Sequence, residues 1–321
     1  MSLDQIHLLP PAQQEIILNG PALAPPAGVV SNLDSPPNGN ALCVAIVTIL
    51  LLIATLAYAL AIYVKLVHIK RLYLEDYLAF AGFVLYVAQV YCGLSILVNF
   101  GLFVHQWNVR VRDLAGIFYL VHIGSEFYAV CIVLLKSAII LSWLRIFDPL
   151  KTRGFFFWSC HALLWTNVLL YTVILITANI TCKPFAKLWD KTLPGTCSDN
   201  NAFDVATATF NLLSDLLTLL LPQPVIWRLN LATKKKIGIA AIFAIGVSAC
   251  VSAAYRLSAS IDYLTRADKT YGVAEIWLGT QAEIVCGFLV VYVPTFPKAF
   301  RDAKNLFNSP WQPIELPTLG H

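Results

Sequence analysis

Seven long apolar runs constrain this chain more than any other feature, because each is long enough to cross a bilayer as an α-helix. They cover approximately residues 41–64, 77–100, 115–144, 155–179, 204–227, 237–261 and 273–296. Strands of a membrane barrel need only about ten alternating residues, so uninterrupted runs of this length predict helices. The third run is the least evident, being interrupted by His122, Glu126 and Lys136. Composition points the same way: 58% of residues are hydrophobic and only 12% charged, against about 25% charged in soluble domains. One water-soluble core cannot hide that much apolar surface, so lipid is the expected solvent and partner of most of the chain. The expected fold class is an all-α integral membrane protein, a seven-transmembrane helix bundle at residues 41–296.

Direction follows from the loops. Those after the first, third and fifth runs, together with the C-terminal stretch, hold thirteen Lys and Arg, and the remaining loops and the N-terminal stretch hold seven. The positive-inside rule then places the N-terminus outside and the C-terminus in the cytosol. Residues 1–40 carry seven of the 17 prolines and no Lys, Arg or Cys, which reads as a flexible extracellular or lumenal tail. They lack the basic, apolar and small-residue order of a signal peptide. Residues 297–321 read as a short cytosolic tail, in which Lys298, Phe300, Arg301, Ala303, Lys304 and Phe307 are spaced for an amphipathic surface helix or serve as solvated basic anchors. The net charge of +4 is spread over the loops, unlike the clustered face that nucleic acid requires, so no nucleic-acid partner is expected. The locations that fit are the plasma membrane or an endomembrane.

Cys43, Cys92, Cys131, Cys250 and Cys286 fall inside the runs, with Cys160 near the start of the fourth, and read as small packing residues. Cys182 and Cys197 share a loop on the oxidising side and form either a disulfide or two free thiols. Asn179-Ile180-Thr181 is a glycosylation sequon lying almost at the membrane surface. No paired Cys/His spacing supports zinc.

An ionisable group at mid-bilayer costs on the order of 3 kcal/mol or more, so each needs a partner or a purpose. The runs contain Glu126 and Lys136 in the third, Asp215 in the fifth, Arg256 in the sixth and Glu283 in the seventh, with His122 one turn from Glu126. Depth at about 1.5 Å per residue matches Arg256 to Glu126, and Lys136 to Asp215 or Glu283. Helical spacing gathers these groups on stripes. One carries Asp204, Thr207, Asn211, Asp215 and Thr218; a second carries His122, Glu126, Ala129, Val133 and Lys136. Small-residue stripes around Glu283 and Arg256 let helices approach closely. The buried polar centre expected from this pattern is His122, Glu126, Lys136, Asn211, Asp215, Arg256 and Glu283. Three readings stay open: ion pairs that fix helix register, a ligand or proton cavity, and a catalytic site, although no nucleophile–base pair or metal set can be named.

Residues 273–296 contain no lysine, which excludes a retinal Schiff base at its usual place in the seventh helix; no cofactor is expected. Leu144-Arg145-Ile146-Phe147 stands where rhodopsin-class receptors have Asp-Arg-Tyr. Tyr292-Val293-Pro294-Thr295-Phe296 stands where they have Asn-Pro-x-x-Tyr, and the sixth run has no proline. A different resemblance is carried by Glu75-Asp76-Tyr77, Lys136-Ser137, Leu144 to Phe147 and the loop from Cys182 through Trp189-Asp190 to Cys197. Asp215, Pro222, Lys235-Lys236, Phe243 to Gly246, Arg256, Glu283 and Pro294 complete it. In order and placement these resemble the fungal seven-transmembrane rhodopsin-domain family, which includes the satratoxin-cluster membrane protein and appressorium receptor-like proteins. The resemblance implies a fold and a membrane location. It also implies either a receptor-like role or association with secondary-metabolite gene clusters. The external eight-cysteine domain of the receptor-like branch is absent from the cysteine-free residues 1–40.

Three functions are expected in this order: a non-enzymatic protein that binds or senses a small lipophilic molecule, plausible in a secondary-metabolite pathway; an embedded enzyme using Glu126, Asp215 or Glu283 as proton donor or acceptor; and a signalling protein resembling G-protein-coupled receptors, for which the sequence names no G protein. A carrier ranks last, since the halves show no repeat.

Overall fold

The computed structural model describes residues 3–148, 153–198, 201–228 and 233–296. The basic C-terminal stretch from Lys298, with its amphipathic pattern, lies outside the described residues. Among the described residues seven helices are long and apolar enough to cross a membrane, at Asn40–Ile69, Leu74–Asn99, Val111–Phe147, Phe155–Ile180, Phe203–Ile226, Ala240–Thr265 and Lys269–Thr295. Each apolar run of the sequence corresponds to one of them. A lipid-embedded backbone must satisfy its own N–H and C=O groups, which an α-helix does within one segment.

In chain order the helices are α1 (Pro11–Asn19), α2 (Asn40–Val64), α3 (Leu74–Asn99), α4 (Val111–Phe147), α5 (Phe155–Ile180), α6 (Asn201–Leu220), α7 (Gln223–Arg228), α8 (Thr233–Thr265) and α9 (Lys269–Tyr292). A two-residue hairpin, β1 (Cys182–Lys183) with β2 (Thr196–Cys197), lies between α5 and α6. Pro222 explains why the fifth apolar run is two helices. It has no N–H to continue α6, and its carbonyl instead accepts from Val225 and Ile226 at the start of α7.

α4 and α9 occupy the middle of the bundle. Over their most apolar stretches 56% and 61% of residues are buried, against 17% for α5 and for α8, which turn most of their surface to lipid. At 37 residues α4 is about 55 Å long, well beyond the roughly 30 Å of hydrocarbon, so its ends project. An aromatic stack of Tyr58, Phe83, Tyr86, Phe288 and Tyr292 joins α2, α3 and α9. Ala54, Ala57 and Ala61 on α2 are fully or nearly buried, and such small side chains let the helices close on one another.

The two ends are tied differently. At one, Lys65 pairs with Asp76 and Arg145 with Glu75, while Tyr73 N donates to Asp76 Oδ2 at 2.9 Å. These contacts join α2, α3 and α4. At the other, Cys182 and Cys197 form a disulfide, resolving the choice between bridge and free thiols. His105, stacked between Trp107 and Tyr271, places Nδ1 2.6 Å from Asp268 Oδ2. Asp268 also accepts from Gln106 N and Tyr271 N, which caps α9 and fastens it to the α3–α4 connection.

Residues 3–39, expected as a flexible tail, are docked on this second end. Ala22 N donates to Val109 O at 2.8 Å and Val111 N to Gly20 O at 3.1 Å. Leu3 and Ala22 pack on Val104, Val109, Leu114 and Ile117, and Ile6 is only 4% exposed. The projecting end of α4 supplies an apolar surface that prolines and short helices can cover, which a count of prolines alone does not reveal.

Candidate functional site

Four ionised side chains meet at the centre of the bundle as two linked pairs. On α4, Lys136 Nζ lies 2.9 Å from Asp215 Oδ1 of α6 and donates to both Asn211 O (3.1 Å) and Asn211 Oδ1 (2.9 Å). All three ammonium donors therefore have acceptors. On α8, Arg256 Nε donates to Glu283 Oε2 of α9 at 3.0 Å. Asn211 bridges the pairs: its Nδ2 donates to Glu283 Oε1 at 2.6 Å and lies 3.4 Å from Asp215 Oδ2. Tyr128 OH donates to Glu283 Oε1 at 3.1 Å, and Tyr171 OH donates to Asn211 Oδ1. Lys136 and Glu283 are each 2% exposed and Asn211 is fully buried. Two positive and two negative groups thus cancel in a medium where an unpaired charge is prohibitive.

The donors are not evenly used. Glu283 has both oxygens occupied, whereas Arg256 Nη2 is buried with no hydrogen-bond partner among the described residues. A buried unsatisfied donor costs about 1–3 kcal/mol. Arg256 also lies over the Tyr128 ring, 5.1 Å from its centroid, a cation–π contact that supplies no acceptor.

Beside Arg256 is a cavity of about 370 Å³ between α3, α4, α5, α6, α8 and α9. Its walls are mostly apolar, among them Ile96, Leu120, Val121, Ile174 and Ile276, with Tyr128, Tyr171 and Arg256 on the side of the charged centre. Trp277 lines it too, and its indole N–H is a second buried donor without a partner among the described residues. Gly93 makes room for that indole: a Cβ there would fall 2.0 Å from Trp277 Cζ2. A much smaller void of about 50 Å³ lies on the other side of the centre, against Lys136, Asp215 and Glu283. The volume of the larger cavity falls within the roughly 300–1,000 Å³ typical of small-molecule sites.

Lys136, Asn211, Asp215, Arg256 and Glu283 of the expected centre are brought together. Glu126 and His122 are not. Glu126 accepts from Asn179 Nδ2 at 3.0 Å on the α5 side of α4, so Arg256 pairs with Glu283 and not with Glu126. Depth along an axis fixes no azimuth, and Glu126 points away from α8. His122 reaches the disulfide loop, packing against Phe185 and Trp189. Asn179 of the sequon sits in the last turn of α5 and also donates to Leu175 O, so its amide is engaged inside a helix.

Tyr128, Tyr171 and Trp277 were not among the residues expected here. Tyr171 lies four residues from Asn167, itself fully buried and accepting from Ser214 Oγ on α6 at 2.7 Å. That i, i+4 spacing on an otherwise lipid-facing helix is the signal that would have found the α5 contribution. Gln281 and Gln89, joined by a 2.7 Å bond in the core between α9 and α3, lie off every charged stripe and have no such signal.

The fungal rhodopsin domain model matches residues 60–302, a stretch that holds all of this centre. A Gibberella zeae protein named Fugralins biosynthesis cluster protein 2 is 37% identical over 296 residues, covering 91% of this chain and 74% of the relative. An Emericella nidulans SAT4 family membrane protein is 36% identical over 197 residues, covering 61% of this chain and 50% of the relative. No solved structure matches. With seven membrane-spanning helices and a family match over three quarters of its length, this multi-pass membrane protein belongs to the fungal rhodopsin domain family.

Proposed function

We propose that this protein binds or senses a small lipophilic molecule in the cavity beside Arg256, without transforming it, and serves a secondary-metabolite pathway. The observation that carries the proposal is the pairing of an apolar cavity of about 370 Å³ with a buried guanidinium that has donor capacity to spare. The relative named for a biosynthesis cluster supports the pathway assignment. The charge count of the loops supports an orientation with the disulfide end outside, so the cavity lies in the outer half of the bilayer, where a ligand arriving through lipid can enter. A site of this kind needs no retinal, and the buried Lys136 lies outside it, against the smaller void, with its three donors spent.

Gly124 lines the cavity, and a Cβ added there meets only Cys92 Cβ, at 3.5 Å. Gly124→Leu therefore fills the cavity with little disturbance of the backbone. Protein purified from its own host in mild detergent and analysed by native mass spectrometry should release an organic molecule from the wild type and none from Gly124→Leu. Equal release from both would refute occupation of this cavity. Catalysis is the second reading, favoured by the Glu283–Tyr128 contact beside the cavity. A released molecule converted on incubation, with conversion lost in Glu283→Gln, would replace the binding reading by it.

A further inference from the structure

The unequal use of donors around Arg256 goes further and defines the chemistry of the occupant, an inference that rests on the cavity reading above. Glu283 is fully engaged by Arg256 Nε, Asn211 Nδ2 and Tyr128 OH. Arg256 Nη2 and Trp277 Nε1 are buried donors without acceptors among the described residues, on α8 and α9 of the same cavity. Two orphan donors and one cation want an acceptor that carries negative charge, since guanidinium binds carboxylate-like groups with parallel N–H bonds. The one carboxylate among the described lining residues, Asp204, is three residues into α6 at the outer end. Arg256 lies nine residues from the end of α8, so Asp204 and Arg256 stand at different depths.

Charge balance restricts how an anion can arrive. The groups facing Glu283 are Lys136, Tyr128 and Cys131 from α4, Tyr171 from α5, Asn211 and Asp215 from α6, and Arg256 from α8, with Cys286 on its own helix. The four ionised members sum to zero, and a fifth charge would leave the centre net negative in a medium of low dielectric. A neutral acid avoids this, and only the neutral form of an acid crosses hydrocarbon readily. We infer that the ligand is a lipophilic carboxylic acid or acidic enol, which enters protonated, gives its proton to Glu283 and takes the place of Glu283 on Arg256. The acid O–H bond breaks and an O–H bond forms on Glu283 Oε2; no proton is exchanged with water and the net charge stays at zero. Glu283 keeps its acceptor role to Asn211 and Tyr128 through Oε1. Trp277 Nε1 supplies a second donor to the ligand anion.

Three probes of one shape test this on the full chain in lipid nanodiscs: anthracene-9-carboxylic acid, its primary amide and the corresponding aminomethyl compound. Energy transfer from tryptophan to anthracene reads occupancy. The acid is expected to bind at least tenfold more tightly than the amide, and the amine most weakly. Arg256→Gln should abolish the preference for the acid, and Trp277→Phe should weaken acid binding several-fold while leaving amide binding nearly unchanged. Infrared difference spectra on adding the acid should show a new protonated-carboxyl carbonyl band that Glu283→Gln removes. Should Arg256→Gln fail to fold, the infrared band and the Trp277→Phe comparison still decide. Equal affinity for acid and amide, or acid binding without the carboxyl band, overturns the inference and leaves the cavity reading standing. Failure of all three probes to bind the wild type overturns both.

Discussion

Replacing Lys136 by Met should destabilise the bundle severely, and replacing Asp215 in the same chain should reverse most of the loss. Lys136 is 2% exposed and gives one hydrogen bond to Asp215 and two to Asn211. Removing it leaves the Asp215 carboxylate, among the described residues, with the long 3.4 Å contact to Asn211 Nδ2. Breaking a buried pair by removing one partner costs about 3–5 kcal/mol, because an uncompensated charge remains. At 1.4 kcal/mol per tenfold, that is about two to three and a half orders of magnitude in the folding equilibrium. The combined Lys136→Met, Asp215→Leu chain leaves no charge unpaired. Asn211 Oδ1 keeps its bond from Tyr171, so the residual loss is that of ordinary hydrogen bonds, about 1–2 kcal/mol. Reversible unfolding in mixed micelles by sodium dodecyl sulfate, followed by circular dichroism, measures all three chains. A loss below about 1 kcal/mol for Lys136→Met, or a double variant no better than the worse single, would refute the assignment of Lys136 and Asp215 as a desolvated, mutually compensating pair.

Gly93→Ala forces the Trp277 indole from its place, since the added Cβ would sit 2.0 Å from Cζ2 and 2.2 Å from Cε2. A stability loss of about 1–3 kcal/mol from overpacking, with an altered tryptophan emission spectrum, is expected in thermal unfolding; an unchanged spectrum would contradict the contact. A reporter fused before Met1 should be labelled by a membrane-impermeant reagent on intact cells, and one after His321 only after permeabilisation. The reverse pattern would overturn the orientation drawn from the loop charges.

Architecture was legible in the sequence because lipid makes a simple demand: about 20 apolar residues per crossing, with polar groups paired or stripe-aligned. All seven spans follow from that demand, as does a carboxylate partner for Lys136, which depth left open between Asp215 and Glu283 and the structure assigns to Asp215. Which charges meet was legible only in part. Glu126 and Arg256 share a depth, yet depth says nothing of rotation about the α4 axis, and that rotation takes Glu126 to Asn179. The uncharged members of the centre were hidden for another reason. Tyr128 and Tyr171 read as ordinary aromatic residues of membrane helices, and only the neighbouring carboxylate and amide turn their hydroxyls into parts of the network. Likewise nothing in a proline-rich stretch announces the apolar end of α4 on which residues 3–39 lie.

Packing and function divide the charged centre between its two halves. Lys136 and Asp215 have their donors and acceptors satisfied and face a void of about 50 Å³, far below the roughly 300 Å³ at which small-molecule sites begin. Nothing is left over there for a ligand. Arg256 on α8 is tied to the same bridging Asn211 through Glu283 on α9, but lines the cavity of about 370 Å³, where its Nη2 has no hydrogen-bond partner among the described residues. Ion pairs that only fix helix register would leave no such asymmetry, because an unused buried N–H weakens the fold without adding specificity. The Lys136–Asp215 half therefore holds α4 against α6, and the strain of an incomplete partner set falls on the half that borders the cavity. It follows that the combined Lys136 and Asp215 variant, though less stable, should retain ligand binding, whereas changes at Arg256 should abolish it at little further cost to the bundle when Glu283 is made neutral alongside.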